Sequence, residues 1–192
     1  LHEENDLIGL YCSGLGWTQK SFYYDYSGEE RFEREGLAEC VEVGPTRELQ
    51  YTTTCFHIRE GYELCPACEK VKELAVSEAE KIAVGTEIDY LQFFDQDLGG
   101  NTYPCYSDKH GHPPVPGKWM AAEMKDIVKK MRAKFREAHP DKKMLIGCEA
   151  AACEPLLDDM RFNDLRYNLD LMYGIPVPAY AYVFGEYVAN YM

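Results

Sequence analysis

Two aspartates, Asp95 and Asp97, follow the apolar and aromatic run from Ile88 to Phe94 and precede Gly99-Gly100. The run predicts a strand that is covered on both faces, and the glycine pair predicts where that strand stops. At the two-residue period of a strand, both carboxylates lie on the same face. Acids at the carboxyl end of a parallel strand occupy the position where α/β barrels hold their reacting groups. The alternative is that the two aspartates only begin a solvated loop or cap a turn.

A second acid has a similar setting. Glu149 follows the apolar run from Met144 to Cys148, and Glu154 lies in the loop and helix turn expected after it. In a barrel, the strands that end in Asp95 and Glu149 should be neighbours, so the two carboxylates are candidates for a pair that acts together. The alternative for Glu149 is an ion pair with a neighbouring lysine or arginine at the strand end.

Residues 101–118 form a long loop that contains His110, His112 and four prolines. Long loops are usually functional or disordered, and the fixed φ of proline favours a shaped loop. The two histidines could bind a ligand, form a metal site with Asp97, or simply hold the loop in place. Trp17 lies in a glycine-punctuated loop, where its ring could stack on a ligand or cover the core.

Cys65-Pro66-Ala67-Cys68 is the only C-x-x-C motif among the eight cysteines. With Cys55 and His57 upstream, it could bind zinc, which prefers a tetrahedron of sulfur and nitrogen ligands. However, no second C-x-x-C and no H-x-x-x-H completes a site. We therefore expect no tightly bound structural zinc at this motif, and no metal or cofactor elsewhere in the chain.

Composition and charge exclude several classes of partner. The 192 residues carry a formal net charge of −13, which argues against a nucleic-acid or anionic-membrane surface. No run of about eighteen apolar residues exists, so no membrane span is expected. The first residues lack the basic and apolar regions of a signal peptide. Together with cysteines that are compatible with free thiols, this favours a cytoplasmic location.

Strands alternate with helices along the chain. Besides the two acid-ended strands, further strands are predicted at Leu7–Cys12, Leu49–Phe56 and Ala179–Phe184, and a helix from Cys65 to Gly85. A second helix follows Lys118, and its apolar face comprises Met120, Met124, Ile127, Val128, Met131 and Phe135.

This order predicts an α/β fold with a parallel sheet. The favoured architecture is the central part of a (β/α)₈ TIM barrel, because the strands are too few for closure and about 250 residues is typical. Residues 1–192 would then be a single α/β domain and a fragment of a larger catalytic barrel. A small open doubly wound sheet is the runner-up.

Five short motifs resemble a bacterial family of the glycoside hydrolase TIM-barrel superfamily, and they occur in the same order. The matching stretches are Leu10–Trp17 (Ser-Gly-Leu-x-Trp), Leu64–Ala67 (Cys-Pro), Tyr90–Gln96 (an acid-ended strand), Cys105 with His110–Pro113 (His-Gly-His-Pro) and Gly147–Pro155 (Glu-x-x-x-x-Glu). The resemblance implies a glycosidase, which needs two carboxyl groups flanking the scissile bond.

On this resemblance, Asp95 is expected to be the nucleophile and Glu149 the acid/base. The residues expected to contact the carbohydrate substrate are Trp17, which would stack on a ring, and Asp97, His110, His112 and Glu154. Two other functions remain open: a metal-dependent hydrolase, and a catalytically silent carbohydrate-binding or assembly module. A partial barrel exposes strand edges, so the chain would self-associate or pair with the remainder of its parent chain.

Overall fold

The computed structural model describes residues 7–11, 15–21, 25–54, 59–86, 88–94, 105–115, 117, 119–149, 165–167 and 189–191. The chain divides into two compact units. Unit 1 comprises Leu1–Gly14, Ala75–Asn101 and Met124–Met192, and unit 2 comprises Leu15–Leu74 and Thr102–Glu123. Within the described residues, no helix is both long enough and apolar enough to cross a membrane.

Unit 1 contains a five-stranded parallel sheet. Its strands, in spatial order, are β1 (Gly9–Tyr11), β6 (Tyr90–Phe94), β7 (Leu145–Glu149), β8 (Leu165–Tyr167) and β9 (Ala189–Tyr191). Each strand pairs with the next in parallel orientation. Because the spatial order follows the chain order, the sheet has no reversal among its described strands. The α/β class and the parallel sheet predicted from the sequence are therefore confirmed.

Two helices contribute apolar faces to the cores. They are α2 (Glu69–Gly85) and α3 (Trp119–Ala138). All six residues of the predicted apolar face of α3, from Met120 to Phe135, are buried, so that face is confirmed. Five of the six, from Met124 onward, belong to unit 1, whose core also contains Leu91 and Ile146 from the parallel sheet, both fully buried.

Asp89 fixes the amino-terminal edge of the parallel sheet. Its carboxylate accepts a hydrogen bond from the backbone N–H of Ile8 at 2.9 Å and lies 3.1 Å from the Lys142 ammonium. Its backbone carbonyl accepts from Leu145 N–H at 2.9 Å. Asp89 thus connects the amino-terminal ends of β1, β6 and β7. In the sequence, Asp89 and Asp95 flank opposite ends of β6.

Unit 2 contains a four-stranded antiparallel sheet. Its order is β3 (Tyr26–Ser27), β2 (Gly16–Ser21), β5 (Arg59–Glu63) and β4 (Tyr51–Thr54). A short helix, α1 (Glu29–Arg34), and a 3₁₀ helix, Leu37–Cys40, follow β3. Phe32 of α1 lies between two aromatic rings, 5.2 Å from Tyr62 and 6.3 Å from Trp17.

Several predicted elements are placed differently by the structure. Trp17 lies in β2 and not in a loop, because β2 is paired along its length by β5. Helix α2 begins at Glu69, since a turn at Cys65–Cys68 precedes it. The predicted strand Ala179–Phe184 lies outside the described residues.

Candidate functional site

The carboxyl ends of β6 and β7 lie side by side in unit 1. The two strands are parallel neighbours, as the sequence predicted, and Phe94 of β6 is opposite Cys148 of β7. The register shifts between Gln92 and Phe94, which marks a bulge or irregularity near the end of β6. Such irregularities are common next to active sites because they redirect the chain.

The candidate carboxylates follow from these strand ends. Glu149 is the last residue of β7, where its backbone pairs with Tyr167 of β8. Asp95 directly follows β6 in sequence, but Asp95, Asp97 and Glu154 lie outside the described residues. Their predicted roles in catalysis and sugar binding stay predictions.

Trp17 is an integral part of the unit 2 sheet. Its indole N–H donates a hydrogen bond to the Gly28 carbonyl at 3.2 Å. The Arg31 guanidinium lies 5.2 Å from the ring centre, a cation–π contact. These contacts favour a packing role for the ring, and its predicted stacking on a sugar stays a prediction.

His110 and His112 take part in a buried thiol–imidazole cluster. One ligand atom from each of Cys65, Cys105, His110 and His112 lies within 4.8 Å of the others. All four side chains are at most 9% exposed. Such burial favours a structural role for these side chains inside unit 2. The predicted hydrogen bonding of the two histidines to sugar stays a prediction.

Different parts of unit 2 supply this cluster. Cys65 directly follows Leu64, which pairs with Val41 in an isolated bridge, and its backbone N–H donates to the Cys40 carbonyl at 2.8 Å. Cys105 lies beside the same segment, because its sulfur accepts the Val43 N–H at 3.5 Å.

Each histidine of the cluster has one ring nitrogen bound to a backbone carbonyl. Nε2 of His110 lies 2.9 Å from the Glu39 carbonyl oxygen, while its Nδ1 lies 3.4 Å from the Cys105 sulfur. Nδ1 of His112 lies 2.7 Å from the Pro113 carbonyl oxygen. The His112 ring stacks on Trp119 at a centroid distance of 3.7 Å. Both rings are therefore fixed in orientation.

Hydrogen bonds within the cluster separate the pKa values of its thiols. Hydrogen bonds from Cys65 and then His110 hold the pKa of the Cys105 thiol well below its usual range. The same two partners lower the pKa of the Cys68 thiol to about 5. The pKa of Cys65 is raised by its hydrogen bonds to Cys105 and Cys68 and by burial. The cluster thus stabilises the thiolates of Cys105 and Cys68, and the thiolate is the form of cysteine that binds metal ions.

The sequence did not predict this cluster, because the candidate ligands close to Cys65-Pro-Ala-Cys68 along the chain are Cys55 and His57. Both of these residues lie outside the described residues. The ligand-type residues that the structure places beside Cys65 are Cys105, His110 and His112, forty or more residues further along the sequence. A usable signal was the short spacing of Cys105, His110 and His112 in one proline-rich loop.

The family model for the domain of unknown function DUF6259 matches residues 1–192, the whole chain. The chain belongs to the DUF6259 family. Among curated proteins, none matches this DUF6259 chain.

Solved glycoside hydrolases resemble the DUF6259 chain. Ligand-free NagBb, an α-N-acetylgalactosaminidase from Bifidobacterium bifidum, has a TM-score of 0.56 and 15% identity, covering 97% of this chain and 28% of its own. Its quadruple mutant has a TM-score of 0.54 and 15% identity, covering 97% and 27%. TtGalA, an α-galactosidase from Thermus thermophilus in complex with p-nitrophenyl α-D-galactopyranoside, has a TM-score of 0.50 and 16% identity, covering 86% and 27%.

At these identities the likeness shows the fold alone, which is glycoside-hydrolase-like. The DUF6259 chain spans 27–28% of the length of these solved structures.

Proposed function

We propose that this chain contributes the carboxylate pair Asp95 and Glu149 to a glycoside hydrolase domain. The observation that supports the proposal best is the parallel pairing of β6 with β7, whose carboxyl ends lead to these two acids. The glycoside-hydrolase-like fold supports the same proposal. The position of the acids supports it too, since the active sites of barrel enzymes lie at the carboxyl ends of parallel strands.

We also propose that the parallel sheet is a consecutive part of a (β/α)₈ barrel. In a barrel, strands that follow one another along the chain are neighbours, as β6, β7, β8 and β9 are here. A doubly wound sheet reverses its strand order at a switch point. The absence of a reversal among the described strands therefore favours the barrel.

The strand register favours a retaining mechanism. Phe94 is opposite Cys148, so a continued register would put Asp95 beside Glu149. Neighbouring strands are about 4.8 Å apart, which suits the carboxyl separation of about 5–5.5 Å in retaining glycosidases better than the 6.5–9.5 Å of inverting ones. Asp95 would attack the anomeric carbon, while Glu149 protonates the leaving oxygen and then activates water.

The substrates to test first are α-galactosides and α-N-acetylgalactosaminides. Two proteins of similar fold are named as an α-galactosidase and an α-N-acetylgalactosaminidase. The protein that carries this chain is assayed with the p-nitrophenyl glycosides. We expect Asp95→Asn and Glu149→Gln to lower kcat by about 10²–10⁴-fold each, since both groups act in the transition state. Asp108→Asn and Glu73→Gln, at exposed positions, are matched controls that keep full turnover.

A mechanism-based fluorosugar identifies the nucleophile independently. In a retaining enzyme it labels one carboxylate covalently, and peptide mass spectrometry should place the label on Asp95. Labelling of Asp97 would transfer the role of nucleophile to that residue. If Glu149→Gln keeps turnover, Glu154 is the next candidate for the acid. Sugar binding without turnover in the unmodified protein would instead establish the silent carbohydrate-binding module.

A further inference from the structure

We propose that unit 2 holds a structural zinc ion bound by Cys65, Cys105, His110 and His112. Their ligand atoms already lie within 4.8 Å of one another. Zinc bonds of about 2.3 Å to sulfur and 2.0–2.1 Å to nitrogen place the atoms of a tetrahedron roughly 3.3–3.8 Å apart. The separation of 3.4 Å between Cys105 Sγ and His110 Nδ1 falls in this range.

The two histidines present the correct nitrogens. His110 donates its Nε2 proton to the Glu39 carbonyl, so Nδ1, which hydrogen-bonds to the Cys105 sulfur, faces the cysteines and would bind the ion after releasing its proton. His112 donates its Nδ1 proton to the Pro113 carbonyl, which leaves Nε2 as the acceptor. That Nε2 is buried and has no hydrogen-bond partner within the described part of the chain, a costly arrangement that a metal ion would resolve. Carbonyl groups orient metal-binding histidines in this way.

The two sulfurs accept hydrogen bonds from backbone N–H groups. Val43 and Ser107 donate to Cys105, and Ala67 donates to Cys65. Hydrogen bonds to ligand atoms orient them and stabilise their charge. Pro66 and Ala67 lie in the turn that follows Cys65, and this turn places the Ala67 N–H near the Cys65 sulfur.

Gly111 allows both histidines to face the same point. Its φ of 80° lies in the left-handed region, where a side chain is strained. The two imidazole rings on either side of it have centroids 5.8 Å apart.

The charges and the number of ligands indicate a structural site. Two thiolates balance the charge of Zn²⁺, and the two neutral imidazoles complete a closed tetrahedron with no position for water. Zinc suits this S₂N₂ set, and a closed site does not support a metal-dependent hydrolase. The sequence led us to expect no zinc because further ligands were not evident near Cys65. The structure supplies them from residues 105–112.

Metal analysis of the full chain tests this site. Protein purified without chelator should contain about one zinc ion per chain, as for a structural site. Cys65→Ser, Cys105→Ser, His110→Gln and His112→Gln should each lose it. Cys40→Ser is the matched control, because Cys40 is a buried thiol in contact with Cys68 but outside the four ligands, and it should retain zinc.

Cys68→Ser decides the fourth ligand. The Cys68 thiol contacts both Cys65 and His110, so it is the nearest competitor of His112. Retention of zinc in Cys68→Ser together with its loss in His112→Gln supports our assignment. The reverse result overturns it and indicates a site with three cysteines and His110.

Two measurements on the unmodified protein avoid variants that fail to fold. Co²⁺ exchanged into the site should give the visible absorption of a tetrahedral ion together with thiolate charge-transfer bands. Chelation should then expose Cys65 and Cys105 to alkylation, as read by peptide mass spectrometry. Zinc-free protein without a Co²⁺ spectrum, or a Cys65–Cys105 disulfide, would overturn the proposal.

Discussion

Unit 1 and unit 2 are stabilised by different kinds of side chain. The unit 1 core is largely aliphatic and periodic, with Ile127, Val128 and Met131 of α3 at most 1% exposed. The unit 2 core includes an aromatic group around Phe32 and a buried cluster of cysteine and histidine. Burial of aliphatic area is non-directional and spread over many residues, whereas the unit 2 contacts depend on a few groups in fixed orientations. Unit 2 should therefore be more sensitive to chemical change.

Removal of the proposed zinc should have the largest effect. Zinc binding contributes about 10–16 kcal/mol of folding free energy in zinc-finger peptides. Chelation should therefore destabilise unit 2 strongly. Hydrogen exchange would then accelerate in residues 37–68 and 105–112, while residues 124–138 of α3 keep their protection. Equal acceleration of hydrogen exchange in both regions would mean that unit 1 depends on the metal ion as much as unit 2 does.

Phe32→Ala tests the aromatic group of unit 2. The ring is buried and stacks on Tyr62 with an interplanar angle of 16°. Its removal should lower the free energy of unfolding by about 3–5 kcal/mol. Tyr26→Ala, at a ring that is 51% exposed, is the control and should change it far less. A similar loss in both variants, measured by urea denaturation, would contradict the packing role of Phe32.

Met131→Ala tests the aliphatic core of unit 1. Met131 is 0% exposed, so its truncation should cost about 2–5 kcal/mol, with the lower end expected if the surrounding side chains collapse into the space. Lys129→Ala, on the exposed face of α3, provides the reference. Hydrogen exchange should locate the loosening in unit 1. Loosening confined to unit 2 would show that the two cores are not distinct.

Glu123→Gln tests a partly buried ion pair within unit 2. The Lys72 ammonium lies 2.5 Å from Glu123, and the two side chains are 10% and 28% exposed. Loss of the carboxylate charge leaves the buried Lys72 ammonium with a weaker partner at this position. We expect the free energy of unfolding to fall by about 1–3 kcal/mol, towards the lower end because solvent screens the pair. Lys72→Met should lower the free energy of unfolding less than Glu123→Gln does, because it removes the buried charge itself. Glu137→Gln, in an exposed pair with Lys134, serves as control.

Arg31→Gln should have the smallest effect. The guanidinium lies over Trp17 and pairs with Glu35 at 2.6 Å, but it is 36% exposed. The loss should be about 0.5–1 kcal/mol. Arg34→Gln, which removes an exposed pair with Glu30 at 3.6 Å and a longer one with Glu35 at 4.0 Å, should change the unfolding free energy less. If both variants are equivalent in thermal denaturation, the contact with Trp17 adds nothing measurable.

The sequence alone determined most of the regular structure of unit 1. The apolar face of α3 follows from its helical periodicity, and the strands β6 and β7 follow from their apolar runs, because each of these signals lies within a single element. The adjacency of β6 and β7 also followed, since consecutive strands of an α/β sheet are usually neighbours. The pairing of β2 with β5 was not predicted, and Trp17 was therefore assigned to a loop.

Only the tertiary structure decided what surrounds Cys65. Its thiol meets a cysteine and two histidines from residues 105–112, and the His110 ring is oriented by a carbonyl 71 positions earlier in the chain. Local patterns carry no information about which distant segments meet, because that choice depends on the packing of the whole unit. A C-x-x-C motif shows two candidate ligands in the sequence, and the fold determines which of them other ligands reach.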